Sequence, residues 1–435
     1  MRDRISLRPA RLALVAALLA SVAATPAFAG AFAIREQSAT GQGVGFAGMA
    51  AGGGDSISGM FWNPAVVNQV ENYQGEQHIT AILPSSKIDV DASTPTAGFG
   101  GGGDVGETAF VSAGYNAYRI NEKVAIGLSI NTPFGLATDP HHDWAGQIYA
   151  RSSRVRSVNA TPTIGYKVND WLSIGAGVQI QYFDLRLRQA YGAGPAATLP
   201  TAESATLSGH DVGVGFTAGF TVAPTDGTSI GVGFRSAIKH DVSGKLALPD
   251  APDAKIKADL TLPETVSVGV RQRISDRFTL LGGFEWTNWS RFDRVKVKSK
   301  AAGSTITTLP FNYDDAWFFS AGGEYALDPK ITLRGGVAYE LSPISDKVRS
   351  NRLPDDDRWW LSAGATYNWS DKLAFDLGYS YIFVPGKSKI DIEPGDPDYL
   401  GLPYHAKAKS DIHLISAAVR YKFGGETPAV LVTKN

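Results

Sequence analysis

The sequence predicts an all-β protein, an antiparallel transmembrane β-barrel of about fourteen strands, exported behind a cleaved leader. Three observations predict it. The N-terminus is basic, then apolar, then ends in an A-x-A site; strand-like segments with a period of two recur along the chain; and short Asx-rich turns alternate with long loops.

In the leader, Arg2, Arg4, Arg8 and Arg11 form the basic region, Leu12 to Ala24 the apolar run, and Ala27-Phe28-Ala29 the cleavage site after Pro26. A cut after Ala29 makes residues 1–29 a signal peptide. The apolar run is shorter than the ~20 residues a spanning helix needs. No later run reaches that length, so a mature chain that enters a membrane must do so as a closed barrel.

Composition removes several alternatives. A length of 435 residues permits one large domain or several ordinary ones. The net charge of -1 points to no nucleic-acid partner, and the absence of cysteine excludes disulfides, thiolate metal sites and a cysteine nucleophile.

Six short turns, at Asn121, Asn169, Thr225, Ser275, Asp328 and Ser370, and seven longer loops imply about fourteen strands. These begin near Tyr73, Thr108, Lys123, Arg151, Trp171, Ala205, Thr228, Ile256, Arg277, Phe311, Lys330, Arg358, Lys372 and Ala406. Both barrel ends then lie on the short-turn, periplasmic side. In one strand Ile331, Leu333, Val337, Tyr339 and Leu341 share a face opposite Thr332, Arg334, Ala338 and Glu340. A soluble sandwich also alternates. The barrel is favoured by strand length, by export, and by Trp171, Trp286, Trp289, Trp317, Trp359 and Trp369 near strand ends, as interfacial girdles require.

Residues 30–72 lack the strand pattern and are rich in Gly, Ala and Ser. They suit either a plug folded into a lumen too wide for side chains to fill or a periplasmic leader without fixed structure. The barrel proper spans 73–423, and residues 424–435 form a tail beyond Phe423.

Several short motifs then stand in order: Ala31-Phe32-Ala33-Ile34-Arg35-Glu36-Gln37-Ser38, Phe61-Trp62-Asn63-Pro64-Ala65, Asn131-Thr132-Pro133-Phe134-Gly135, Leu262-Pro263-Glu264-Thr265, Trp286-Thr287-Asn288-Trp289-Ser290 and Leu353-Pro354-Asp355-Asp356-Asp357-Arg358. In order and spacing the mature chain resembles the FadL-type outer-membrane transporters of long-chain fatty acids and aromatic hydrocarbons. The resemblance implies fourteen strands, an N-terminal hatch of small helices and loops in the lumen, and passive inward movement of hydrophobic molecules. Ligand would be caught among extracellular loops, held in the barrel, released by movement of the hatch N-terminus, and passed through a side opening at a kink in the third strand. The implied partners are a fatty acid or an aromatic hydrocarbon and outer-membrane lipid. No enzyme activity, cofactor, metal or nucleic acid is expected, and the chain is expected to be a monomer.

Candidate residues follow. Asn63, Pro64 and Ala65 would pin a hatch bend, because Pro fixes φ and Asn bonds to nearby backbone. Ala31 and Phe32 begin the hatch that would move. Gly127 and Pro133 in the third strand would weaken its ladder. Arg235, with Arg334, Glu285, Glu324 and Glu340, falls on the lumen face; these charges read as a salt-bridged lining, and Arg235 as a partner for a substrate carboxylate. Leu199, Pro200, Leu207 and Leu248 would serve loop capture. His141-His142-Asp143 lacks further ligands for a metal. A general diffusion porin and an outer-membrane lipase are the rival functions; the plug-like segment argues against the first, and the second needs a serine, a histidine and an orienting partner close together.

Overall fold

The computed structural model of the protein describes residues 30–192 and 202–423; the leader, Leu199, Pro200 and the tail lie outside them. Among the described residues, fourteen antiparallel strands form one closed sheet. They are β1 (Tyr73–Val90), β2 (Ala109–Arg119), β3 (Val124–Asn131, resuming at Gly135–Thr138), β4 (Ser152–Lys167), β5 (Leu172–Ala190), β6 (Ser204–Thr225) and β7 (Thr228–Arg235 and Ile238–Leu248). The second half comprises β8 (Ala251–Leu262 and Thr265–Arg273), β9 (Phe278–Thr287 and Arg294–Ser299), β10 (Thr305–Pro310 and Ala316–Ala326), β11 (Ile331–Leu341), β12 (Arg358–Asn368), β13 (Leu373–Phe383 and Ser388–Ile392) and β14 (Tyr404–Phe423). β14 pairs with β1 from Tyr73↔Phe423 to Val90↔Ala406, so the sheet has no free edge.

The period of two explains this wall. Ile126, Ile164, Val178, Val214, Leu280, Val337, Leu377 and Ile415 point outward and are exposed, a surface only lipid would cover. Trp171, Tyr325, Tyr367, Trp369 and Phe423 mark the short-turn rim, and Trp317 and Trp359 the other. Trp289 is not part of a girdle. The interruption between Thr287 and Arg294 breaks the strand's parity, a 3-10 turn (Trp289–Arg291) rotates the indole inward, and the ring is fully buried.

Inward positions in the membrane zone are polar and paired. Arg334 Nε meets Glu324 Oε1 at 2.9 Å, Arg420 Nε meets Asp376 Oδ2 at 2.7 Å, and Arg271 also bonds Glu324. This is the salt-bridged lining expected from parity. Above the interruptions in β7, β8 and β9 the polarity inverts: Val242, Ile256, Ala258, Val295 and Val297 are buried inside while Lys239, Lys257 and Lys296 are exposed outside.

Residues 30–72 fill the lumen. Helix α1 (Ala39–Gly43) is capped by Ser38, whose Oγ accepts from Gly41 N at 3.0 Å. Three 3-10 turns follow, the last (Pro64–Gln69) capped by Asn63 Oδ1 accepting from Ala65 N at 3.0 Å. Lumen-facing glycines let this backbone touch the wall: a Cβ on Gly233 would sit 1.8 Å from Trp62 O, and one on Gly231 1.8 Å from Ala50 O. Replacing Gly233 by Val therefore expels the hatch. The folded barrel should keep its heat-modifiable gel mobility while conductance in planar bilayers rises; unchanged conductance would contradict this packing.

Candidate functional site

The site begins at the interruption of β3. Gly127 does not cause it: Gly127 pairs with Ala117 on one side and Thr163 on the other, and its missing side chain makes room for Met60 and Val67 of the hatch. The break lies at Thr132-Pro133-Phe134, where Pro133 lacks an N–H. β2 bonds β3 only along Gly114–Arg119, so Ala109–Ala113 have no β3 partner and the wall is thin here.

The extended strap 30–38 of the hatch patches this break. Ile34 N donates to Pro133 O at 2.8 Å, Gly135 N donates to Phe32 O at 2.8 Å, and Ala33 faces Phe134 in an antiparallel bridge. Gln37 Nε2 donates to Thr132 O at 2.8 Å. The strap is held on its far side by charge. Arg35 meets Glu285 at 2.6 Å and Glu340 at 3.0 Å and stacks on Phe318 at 3.8 Å. Glu340 also takes Arg358 Nε at 2.8 Å, Arg358 pairs with Asp355 at 3.1 Å, and Asp355 accepts from Ala31 N at 3.0 Å. Burial raises the loop carboxyl of Asp355 above its usual range. The adjacent Glu36 carboxylate is buried with no hydrogen-bond partner.

Asn63 does more than cap. Its Nδ2 donates to Ala50 O at 2.7 Å inside the hatch and to Phe220 O at 2.9 Å on β6. Pro64 opens the following turn, and Ala65 packs where Gly175 has no Cβ.

Above the strap lies an apolar cavity of about 200 Å³. Phe32 forms part of its floor, packed on Trp289 at 4.6 Å and Phe292 at 5.3 Å between ring centres. Phe183, Leu185, Leu207, Ile256, Leu260 and Val297 line the walls, and Tyr149 and Leu400 the loop side. Leu207 is thus a cavity residue on β6 and not part of an external loop; Leu248 ends β7 outside the lining. Among the polar groups lining this cavity is Arg352. It donates to Ser153 Oγ at 3.2 Å and Gln189 Oε1 at 2.9 Å but forms no ion pair among the described residues. Burial lowers its pKa to about 10, so it stays a cation at neutral pH. Parity could not find Arg352, because it sits in the β11–β12 loop.

A second, smaller cavity of about 40 Å³ lies below, between the strap and the wall. It is lined by Ile34, Pro133, Phe134, Gln181 and Arg235. Arg235 is on the lumen face as parity predicts, its Nη1 donating to Phe61 O at 3.2 Å and its guanidinium 4.4 Å over the Phe61 ring.

A lipid-facing barrel, a lumen hatch and an apolar internal cavity define an outer-membrane channel for hydrophobic compounds rather than a water-filled pore. Residues 20–423 match the model of the outer membrane protein transport protein family (OMPP1/FadL/TodX), and the chain belongs to that family. It is similar to the long-chain fatty acid transport protein of Salmonella typhi, 26% identical over 78% of this chain and 84% of that one. It is also similar to outer membrane protein P1 of Haemophilus influenzae, 28% identical over 77% and 82%. Its fold matches the crystal structure of a Pseudomonas aeruginosa FadL homologue with a TM-score of 0.83, 26% identity, and coverage of 91% of this chain and 100% of that one. The Pseudomonas putida toluene transporter TodX shares the fold at a TM-score of 0.65 and 14% identity, over 88% and 97% of the two chains.

Glu340→Gln removes the carboxylate that holds both Arg35 and Arg358. Leaving two buried guanidinium groups short of charge should cost about 3–5 kcal/mol. The expected outcome is a lower unfolding midpoint and protease cleavage within the strap; wild-type behaviour in both would refute the anchoring role.

Proposed function

We propose that this channel takes up long-chain fatty acids passively across the outer membrane. After export and removal of residues 1–29, the barrel works as a monomer with residues 424–435 as a tail. Ligand is gathered at the external loops, at a rim that includes Leu248. It then enters the large cavity, chain first against the apolar walls and carboxylate on Arg352. The observation that carries this reading is a cation that forms no ion pair among the described residues, in the wall of a mainly apolar cavity that Asp398 also lines. The hatch N-terminus, Ala31 and Phe32, then withdraws from β3, and the ligand leaves sideways through the break at Pro133.

A second reading is uptake of an aromatic hydrocarbon. It is favoured by the aromatic floor of Phe32, Phe292, Phe311 and Tyr313 and by the shared fold of the toluene transporter. A neutral aromatic makes no use of Arg352. General diffusion is disfavoured by the hatch filling the lumen.

Two measurements test the proposal. Arg352→Leu should weaken oleate binding to the purified protein by about tenfold, the worth of a charge-assisted hydrogen bond, while oleyl alcohol binding is kept. Equal binding of toluene by both proteins, with oleate bound by neither, would favour the second reading. The native chain has no cysteine, so a pair placed at Ala33 and Phe134, which face each other across the bridge, forms a single designed disulfide. This lock should stop uptake until a reductant is added; uptake through the locked protein would exclude strap movement.

A further inference from the structure

We infer that the small cavity beneath the strap is a second carboxylate-binding station, built from Arg235 and Gln181, where the ligand's head group stops after leaving Arg352 and before the side exit. The inference rests on the fatty-acid reading above and deepens it.

Arg235 is buried and forms no ion pair among the described residues. The acid nearest to it on the cavity wall, Glu285, is already held by Arg35 at 2.6 Å and accepts from Ser267 Oγ at 3.1 Å. Arg235's one described hydrogen bond, to Phe61 O, uses only Nη1 of a guanidinium with five N–H donors. Gln181 is fully buried. Its Oε1 lies 3.0 Å from His240 Nε2, which leaves Nε2 as a donor without a partner among the described residues. Both side chains line the same cavity of about 40 Å³, so unspent donors of both border a space where a carboxylate has two oxygens to accept them.

The location gives this pair a role in transit. The strap divides the two cavities: Phe32 faces the upper one, and Ala33, Ile34 and Arg35 the lower. Pro133 and Phe134, the broken segment of β3, belong to the lower cavity. A carboxylate that follows a withdrawing strap passes from a half-buried cation to a more deeply buried one, next to the thin part of the wall. The station keeps the head group paired while the alkyl chain enters lipid, so no bare carboxylate crosses the apolar region.

The test compares oleate with oleyl alcohol, which has the same chain and no charge, using full-length protein. Arg235→Gln and Gln181→Met should each slow oleate uptake by cells about tenfold and leave oleyl alcohol uptake little changed. Equilibrium binding of oleate to the purified variants should fall less than in Arg352→Leu, and Arg235→Lys should recover part of the rate. Equal slowing of acid and alcohol would reduce Arg235 to a support for Phe61 and overturn the station, as would unchanged uptake of both. Wild-type protein that binds no oleate would overturn the fatty-acid reading itself, and the station with it.

Discussion

Everything in this molecule depends on the rule that a backbone polar group facing lipid must have a partner inside the protein. A barrel meets the rule by closing, as the β1–β14 ladder does here. The break at Thr132-Pro133-Phe134 violates it locally, and the missing partners come from the hatch: Phe32 O, Ile34 N and Gln37. On the proposed route the side opening and the plug are therefore one device. A strap that moves away uncovers the carbonyl of Pro133 and the amide of Gly135 at the moment it uncovers the gap. On the proposed route that state is costly enough to be brief, so the opening would not be a permanent leak.

The interruptions in β7, β8 and β9 have a second effect. Below them the inner face is polar and the outer face apolar, as a membrane demands; above them both signs reverse. The same strands then enclose an apolar cavity and show lysines to water. A hydrophobic ligand thus finds a greasy interior in the part of the barrel that stands clear of the bilayer. Deeper in, the wall is a salt-bridged network in which Arg35, Glu285, Glu340, Arg358 and Asp355 share charges. Such a network adds little net stability relative to an apolar core but penalises any arrangement that separates its members. It fixes the strap in one register against β3.

Local pattern carried much of this structure. Strand starts at Tyr73, Thr228 and Arg358 were legible because turns and alternation are encoded within a few residues. The lumen side of Arg235 and Glu340 was legible by the same parity. What failed was whatever depends on distant chain. Trp289 looks interfacial until the β9 break turns it inward. Gly127 looks like a weak point in β3 until Met60 and Val67 are seen to need its empty space. Arg352 lies in a loop, where periodicity says nothing. Arg235's true neighbour, Phe61, is 174 positions away. The motifs at 131–135, 262–265, 286–290 and 353–358 were readable as marks of a family but not as parts with a place in the fold. Three fall at strand interruptions, and the fourth supplies Asp355 and Arg358 to the strap's anchor.

On the proposed route, the energetics of passage call for no energy source. Each buried CH₂ gains about 0.8 kcal/mol on leaving water, so capture in the upper cavity is strongly downhill for any alkyl or aromatic ligand. Transfer from that cavity to lipid is nearly neutral, because one apolar surrounding replaces another. The remaining obstacle is polar: moving the strap off β3 and carrying a head group past an apolar wall. On the proposed route, Arg35's partners and the broken ladder set the first cost, and cations without an ion pair among the described residues, Arg352 and then Arg235, would reduce the second. On that route direction would come from consumption of the ligand inside, and the barrel would need only to keep each polar group paired at every stage of the path.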